Sequence, residues 1–218
     1  MVTFETVKNN KDIKNYINAA GTAISRMGYT DHSYSHLNTV KQRVTNILSA
    51  LGKDERTIEL GAIAAYMHDI GICVSRKGHA SHGGVMAFKL LTDLGMDSTE
   101  VALICGAIGN HDEHTGFPVS DIAAALIIAD KSDIRRSRVI SNTEDNDIHD
   151  WVNYAVTDTK LAINKEAMSI TLELSMDINY ATPYDMFSIY AGRFEMCKTA
   201  ANALGFKFGI KVNELLVC

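Results

Sequence analysis

The chain has 218 residues, 46% hydrophobic and 22% charged, with a formal net charge of −5. That is apolar material enough for one full core with or without a small appendage, and the acidic balance excludes a general nucleic-acid binder, because backbone binding needs a basic footprint. The longest purely apolar run, Ile122 to Ala129, is too short to span a bilayer and no charged-then-apolar leader opens the sequence, so a cytoplasmic protein without a membrane partner is expected.

In chain order, the first predicted element follows Asp31-His32-Ser33-Tyr34-Ser35-His36. Leu37, Val40, Val44, Ile47, Leu48 and Leu51 recur at helical spacing, and His36 shares their inward face. Thr57 to Met67, with Ile58, Leu60, Ile63 and Ala64, is apolar on nearly every side. It predicts a central helix that delivers His68-Asp69 into the interior, with Gly71 ending it. Ser81 is the candidate N-cap of the next helix, with His82 in its first turn. Val101 to Ile108 forms a helix closed by Asn110-His111-Asp112-Glu113-His114, and Ala123 to Ala129 forms a buried one that terminates at Asp130. Asp133 to Arg138 extends that helix, and Ser141 to Asp147 reads as a polar linker or exposed loop.

Beyond the linker the period changes. Val152, Tyr154 and Val156 alternate with polar residues, as do Ile170, Leu172, Leu174, Met176 and Ile178, which predicts strands. Thr182-Pro183 opens a helix with a cap and a proline at its first position, Phe187 to Leu204 carries the apolar stripe, and Gly205 stops it. Phe206, Phe208, Ile210 and Val212 alternate as a last strand. The expected fold class is mainly α: a helical bundle over 1–140 and a small α+β appendage over 141–218, an antiparallel sheet of about three strands plus one helix. Its part is open between packing that supports a homodimer, a cover over a pocket, and a regulatory small-molecule site.

The chemistry lies in where the helices end. His36, His68-Asp69, His82, His111 and Asp130 each stand at an end of an apolar helix, and ends converging at one depth in a bundle make a polar pocket for metal. Within His68-Asp69 only the carboxylate can bridge two ions. Cys73, Cys105, Cys197 and Cys218 lack Cys-x-x-Cys spacing, which argues against a thiolate zinc site and for a reducing compartment. His32 and His149 sit in polar contexts and read as surface histidines.

The order His36, His68-Asp69, His82, His111, Asp130 resembles the HD superfamily of metal-dependent phosphohydrolases, and Ala129-Asp130-Lys131-Ser132-Asp133-Ile134-Arg135 is similar to its closing segment. The resemblance implies an HD-domain helical bundle. It implies that His36, His68, Asp69 and Asp130 hold one divalent ion, while His82 and His111, with Asp69 bridging, hold a second. His79 competes with His82 for that place. The implied reaction is hydrolysis of a phosphomonoester or phosphodiester, a nucleotide or related small phosphate, by a metal-activated hydroxide. Asp69, Lys131 and Arg135 are then the catalytic candidates, and Arg76, Lys77, His79, His114 and Arg136 the substrate-side ones. Manganese or iron suits the donors, with cobalt, nickel, zinc and magnesium open. The cyclic-dinucleotide subgroup carries His-Asp-x-Gly-Lys and a His-His-Glu. Here the stretches read His68-Asp69-Ile70-Gly71-Ile72 and Asn110-His111-Asp112, which weakens that substrate. A catalytically idle regulatory module and a di-iron oxygenase are the alternatives that the same resemblance carries.

Overall fold

The computed structural model describes residues 1–113, 115–140 and 147–217. His114, Cys218 and all of the expected linker except Asp147 lie outside the described residues.

Seven helices build the bundle: α1 (Phe4–Asn9), α2 (Lys11–Arg26), α3 (Tyr34–Ala50), α4 (Glu55–Met67), α5 (His79–Asp93), α6 (Ser98–Gly109) and α7 (Asp121–Lys131). Short polar side chains fix most of their starts. Asn10, Ser33, Asp54, Asp97 and Ser120 each accept a hydrogen bond from a backbone N–H of the turn they open, satisfying donors that have no partner inside the helix. The core axes are α4 and α7, in which Leu60 to Met67 and Ile122 to Lys131 are buried without a break. Both are apolar on every side because helices surround them, and each delivers its polar last residues to one depth.

Three local expectations are corrected. The helix after Gly78 starts at His79 rather than behind a Ser81 cap, because Gly78 takes the left-handed conformation, φ 74°, directly before it. Gly71 is not a left-handed helix stop. It lies in a short 3₁₀ turn, Ile70–Cys73, where a Cβ would stand 2.1 Å from the His79 carbonyl oxygen and 2.4 Å from Gly83 N. Only glycine lets the turn after Asp69 approach the start of α5 so closely. Residues 133–138 do not prolong α7, which ends at Lys131 with Ser132 as its cap.

The C-terminal part holds α8 (Ile148–Ala155), β1 (Val156–Asn164), β2 (Ser169–Met176), α9 (Pro183–Ala203), β3 (Lys207–Val212) and β4 (Leu215–Leu216). The alternation of Val152, Tyr154 and Val156 is therefore not a strand. Asp147 caps a helix there by accepting from His149 N and Asp150 N, and β1 begins only at Val156. The sheet order is β1-β2-β3-β4. It is mixed, not antiparallel: β1 runs against β2, but β2 and β3 are parallel, with Ile170 beside Phe208. The cause is α9, whose 21 residues carry the chain back along the sheet before β3 begins. The Thr182 capping box, Pro183 and Gly205 at φ 79° bound this helix as the sequence predicts.

The helix α9 also joins the two parts. Ala200, Ala201 and Leu204 belong to the bundle core, whereas Met186, Tyr190 and Phe194 share a second core with Val152, Leu172, Ile210 and Val212. No described helix is long and apolar enough to cross a membrane.

Candidate metal centre

Two histidine pairs face the two oxygens of the Asp69 carboxylate. In the first, His36 Nε2 and His68 Nε2 are 3.3 Å apart. Asp69 Oδ2 lies 3.1 Å from His68 Nε2 and 3.8 Å from His36 Nε2. Asp130 Oδ1 closes this group at 3.2 Å from His36 Nε2 and 3.6 Å from His68 Nε2. In the second pair, His79 Nε2 and His111 Nε2 are 3.1 Å apart, with Asp69 Oδ1 at 3.5 and 3.6 Å from them. All six residues are buried.

The far sides of the rings set the tautomers. His36 Nδ1 donates to Asp133 Oδ2 at 2.7 Å, His68 Nδ1 to the Ala65 carbonyl at 2.8 Å and His111 Nδ1 to the Ile108 carbonyl at 2.6 Å. With the proton held there, Nε2 presents a lone pair to the cluster centre. His79 Nδ1 meets the Arg76 carbonyl and Arg76 Nη1, both at 3.0 Å. Lone pairs and carboxylate oxygens converging in a buried space are stable only around positive charge.

The electrostatics agree. Burial works against charge at Asp69 and Asp130, but His68 and His111 beside the first, and Lys131, His36 and His68 beside the second, hold both carboxyls well below the usual range. Burial likewise opposes a charge on His68, yet those two carboxylates outweigh it and raise His68 to about 10. The cluster thus draws a proton to the point where a cation fits. At His79 burial prevails, pushing it down to about 4 and keeping the imidazole neutral. These residues, four imidazoles and two carboxylates, are donors that fit divalent metal.

A cleft of about 560 Å³ opens over the cluster, lined among others by Asp69, His79, Asp130, Lys131, Arg76 and Lys77. Lys131 Nζ lies 2.7 Å from Asp130 Oδ2, which leaves Asp130 Oδ1 to the histidines.

Three predicted site residues are not brought here. His82 stands one turn further along α5, about 4.5 Å along the axis, because the helix begins at His79. Its half-buried ring packs by Gly78, and its Nδ1 has no partner among the described residues. Arg135 and Arg136 follow the break in helix at Ser132 and turn away. Arg135 Nε donates to Asp133 Oδ1 at 2.8 Å and Nη2 to Ser35 Oγ at 3.2 Å. Arg136 donates to the Tyr154 carbonyl and lies 4.4 Å over that residue's ring.

Sequence reasoning missed four contributors. His32 is not a surface residue: it packs edge-on against His36, and its Nε2 is 3.9 Å from Asp69 Oδ2. Burial, then the charge of Arg138, hold it well below its ordinary pKa, so it is neutral. Its polar neighbours concealed it, and only its place four residues before His36 hinted at a role. Asp133, which orients His36, was signalled by lying three residues after Asp130. Tyr190 and Arg193 reach the cleft from α9 and had no local signal at all.

No protein-family model matches the chain. A protein of Methanocaldococcus jannaschii described as uncharacterized is 27% identical over 109 residues, which make up 43% of this chain. The match spans only 42% of that relative's length. Among solved structures, the chain is similar to the crystal structure of a predicted HD superfamily hydrolase from an uncultured Thermotogales bacterium, with 26% identity and a TM-score of 0.46. That similarity covers 60% of this chain and 73% of the other.

Proposed function

We propose that the protein is an HD-type metal-dependent phosphohydrolase that cleaves a phosphomonoester or phosphodiester, a nucleotide or related small phosphate. One observation carries the reading: the two oxygens of Asp69 face two separate histidine pairs, which is the arrangement a carboxylate bridging two divalent ions requires. His36, His68, Asp69 and Asp130 would hold one ion, and His79, His111 and Asp69 the other. When bound, two such ions would acidify a water molecule and neutralise phosphate oxygens. Manganese or iron suits this mixture of imidazole and carboxylate best.

The chain's own residues do the remaining work. Asp133 holds the His36 ring in its tautomer and orientation. Lys131 occupies the outer oxygen of Asp130 and fixes which oxygen turns inward. Arg76 and Lys77, in the loop before α5, place positive charge on the cleft wall, where it attracts a phosphate and offsets charge developing on it.

Elemental analysis of the purified protein, then a screen against nucleotides and sugar phosphates, tests the reading. Asp69→Ala should lose both ions and hydrolysis together, and hydrolysis surviving that change would overturn it. A regulatory module would hold metal without turning over any ester, and a di-iron oxygenase would consume oxygen, so the same preparation separates the alternatives.

A further inference from the structure

We propose that Arg193 of α9 binds a phosphate oxygen of the substrate, so that the C-terminal part of the chain completes the substrate site. The inference rests on the hydrolase reading above and adds a residue and an element to it.

The guanidinium is held ready on two sides. It lies 4.2 Å over the ring of Tyr190. That ring is buried, and its hydroxyl takes a hydrogen bond from Asn153 Nδ2 at 2.8 Å. Along one edge, Nε and Nη2 both reach Glu113 Oε1 at 2.8 Å. Nη1 has no acceptor among the described residues. An arginine fork held on an aromatic face and bonded along one edge keeps its second edge for a phosphate, and little rotational freedom is left to lose on binding.

The other cations of the cleft narrow the choice. Arg138 is committed to the Asp31 and Asp133 carbonyls, and Lys131 to Asp130. Arg193 lines the same cleft as Asp69 and Asp130. Its backbone is rigid, since Cys197, Ala200 and Ala201 on the following turns of α9 are fully buried. A competing role is purely mechanical: through Glu113, Arg193 would only tie down the loop that follows His111.

Calorimetric titration of inorganic phosphate into the full-length, manganese-loaded protein separates the two. Arg193→Gln should weaken phosphate binding about 10- to 100-fold with manganese content unchanged. Arg193→Lys should fall between, because it keeps the charge and loses the fork. Glu113→Gln should leave phosphate affinity at the wild-type level or raise it, since it removes a carboxylate that competes for the guanidinium. Wild-type affinity in Arg193→Gln overturns the proposal. So does Glu113→Gln weakening phosphate as much as Arg193→Gln does, which would assign the pair to holding the loop. Wild-type protein that takes up neither manganese nor iron would instead refute the hydrolase reading itself, whereas metal-loaded wild-type protein that binds no phosphate would overturn this proposal alone.

Discussion

Asp133 accepts the Nδ1 proton of His36 at 2.7 Å across 97 residues of chain, and neither side chain is exposed. Arg135 donates to the other oxygen of the same carboxylate. The Asp133 carboxyl lies well below its usual pKa although burial opposes this, because the bond to His36 and the charge of Arg138 prevail. Asp133→Asn should therefore weaken binding of the ion held by His36 and His68 about 10- to 100-fold while the second ion binds nearly as before. Competition with a chelator of known affinity, read for each ion in turn, checks this.

His79 and His82 give opposite expectations. His79→Ala removes a group 3.1 Å from His111 Nε2 and should leave one equivalent of metal bound instead of two. His82→Ala should retain both. Metal content after gel filtration decides, and loss of an ion in His82→Ala alone would restore the assignment made from sequence.

Gly71→Ala should be severe for a change of one methyl group. The added carbon would meet two backbone atoms, the His79 oxygen and Gly83 N, and neither can swing aside as a side chain would. Destabilisation of about 2–3 kcal/mol is expected from such overpacking. Because the strain pushes His79 away from Asp69, weaker uptake of the second ion should accompany it. Urea unfolding and metal analysis on one preparation test both.

The helix caps set part of the acid limit of stability. The hydrogen bond from the Thr57 backbone, then that from its hydroxyl, lower the pKa of Asp54, and the Thr99 hydroxyl does the same for Asp97. A carboxyl whose folded pKa is below its unfolded value stabilises fully above the unfolded one, about 4, and loses that contribution as pH falls through the folded one. Asp54→Asn keeps a good cap, so it should change stability little at pH 7 and make the decline below about pH 4 shallower. Urea midpoints at about pH 7 and pH 3 give the comparison.

What the sequence disclosed follows from where each signal is stored. His36, His68-Asp69, His111 and Asp130 were legible because each closes or opens an apolar helix, a local pattern, and the bundle then brings those ends together. His79 rather than His82 stands beside His111 because the start of α5 depends on a left-handed glycine at Gly78 rather than on the side-chain cap that Ser81 suggested. The strand expected through Val152 and Tyr154 failed for a related reason. In the helix Val152 and Ala155, three residues apart, share the buried face, and the cap at Asp147 decided for the helix. The parallel β2–β3 pair could not be read from alternation, which is identical in either direction. Tyr190 and Arg193 were invisible because only tertiary packing carries α9 to the cleft.

That packing separates two events in time. Every imidazole and carboxylate of the cluster leaves the ribosome well before α9 does, a delay of seconds at ~5–20 residues per second. The donors are therefore synthesised while α9, which supplies Ala200 and Ala201 to the bundle core as well as a wall of the cleft, is still untranslated. The cluster is thus complete in sequence before it is complete in packing, and its final surroundings wait on the last helix.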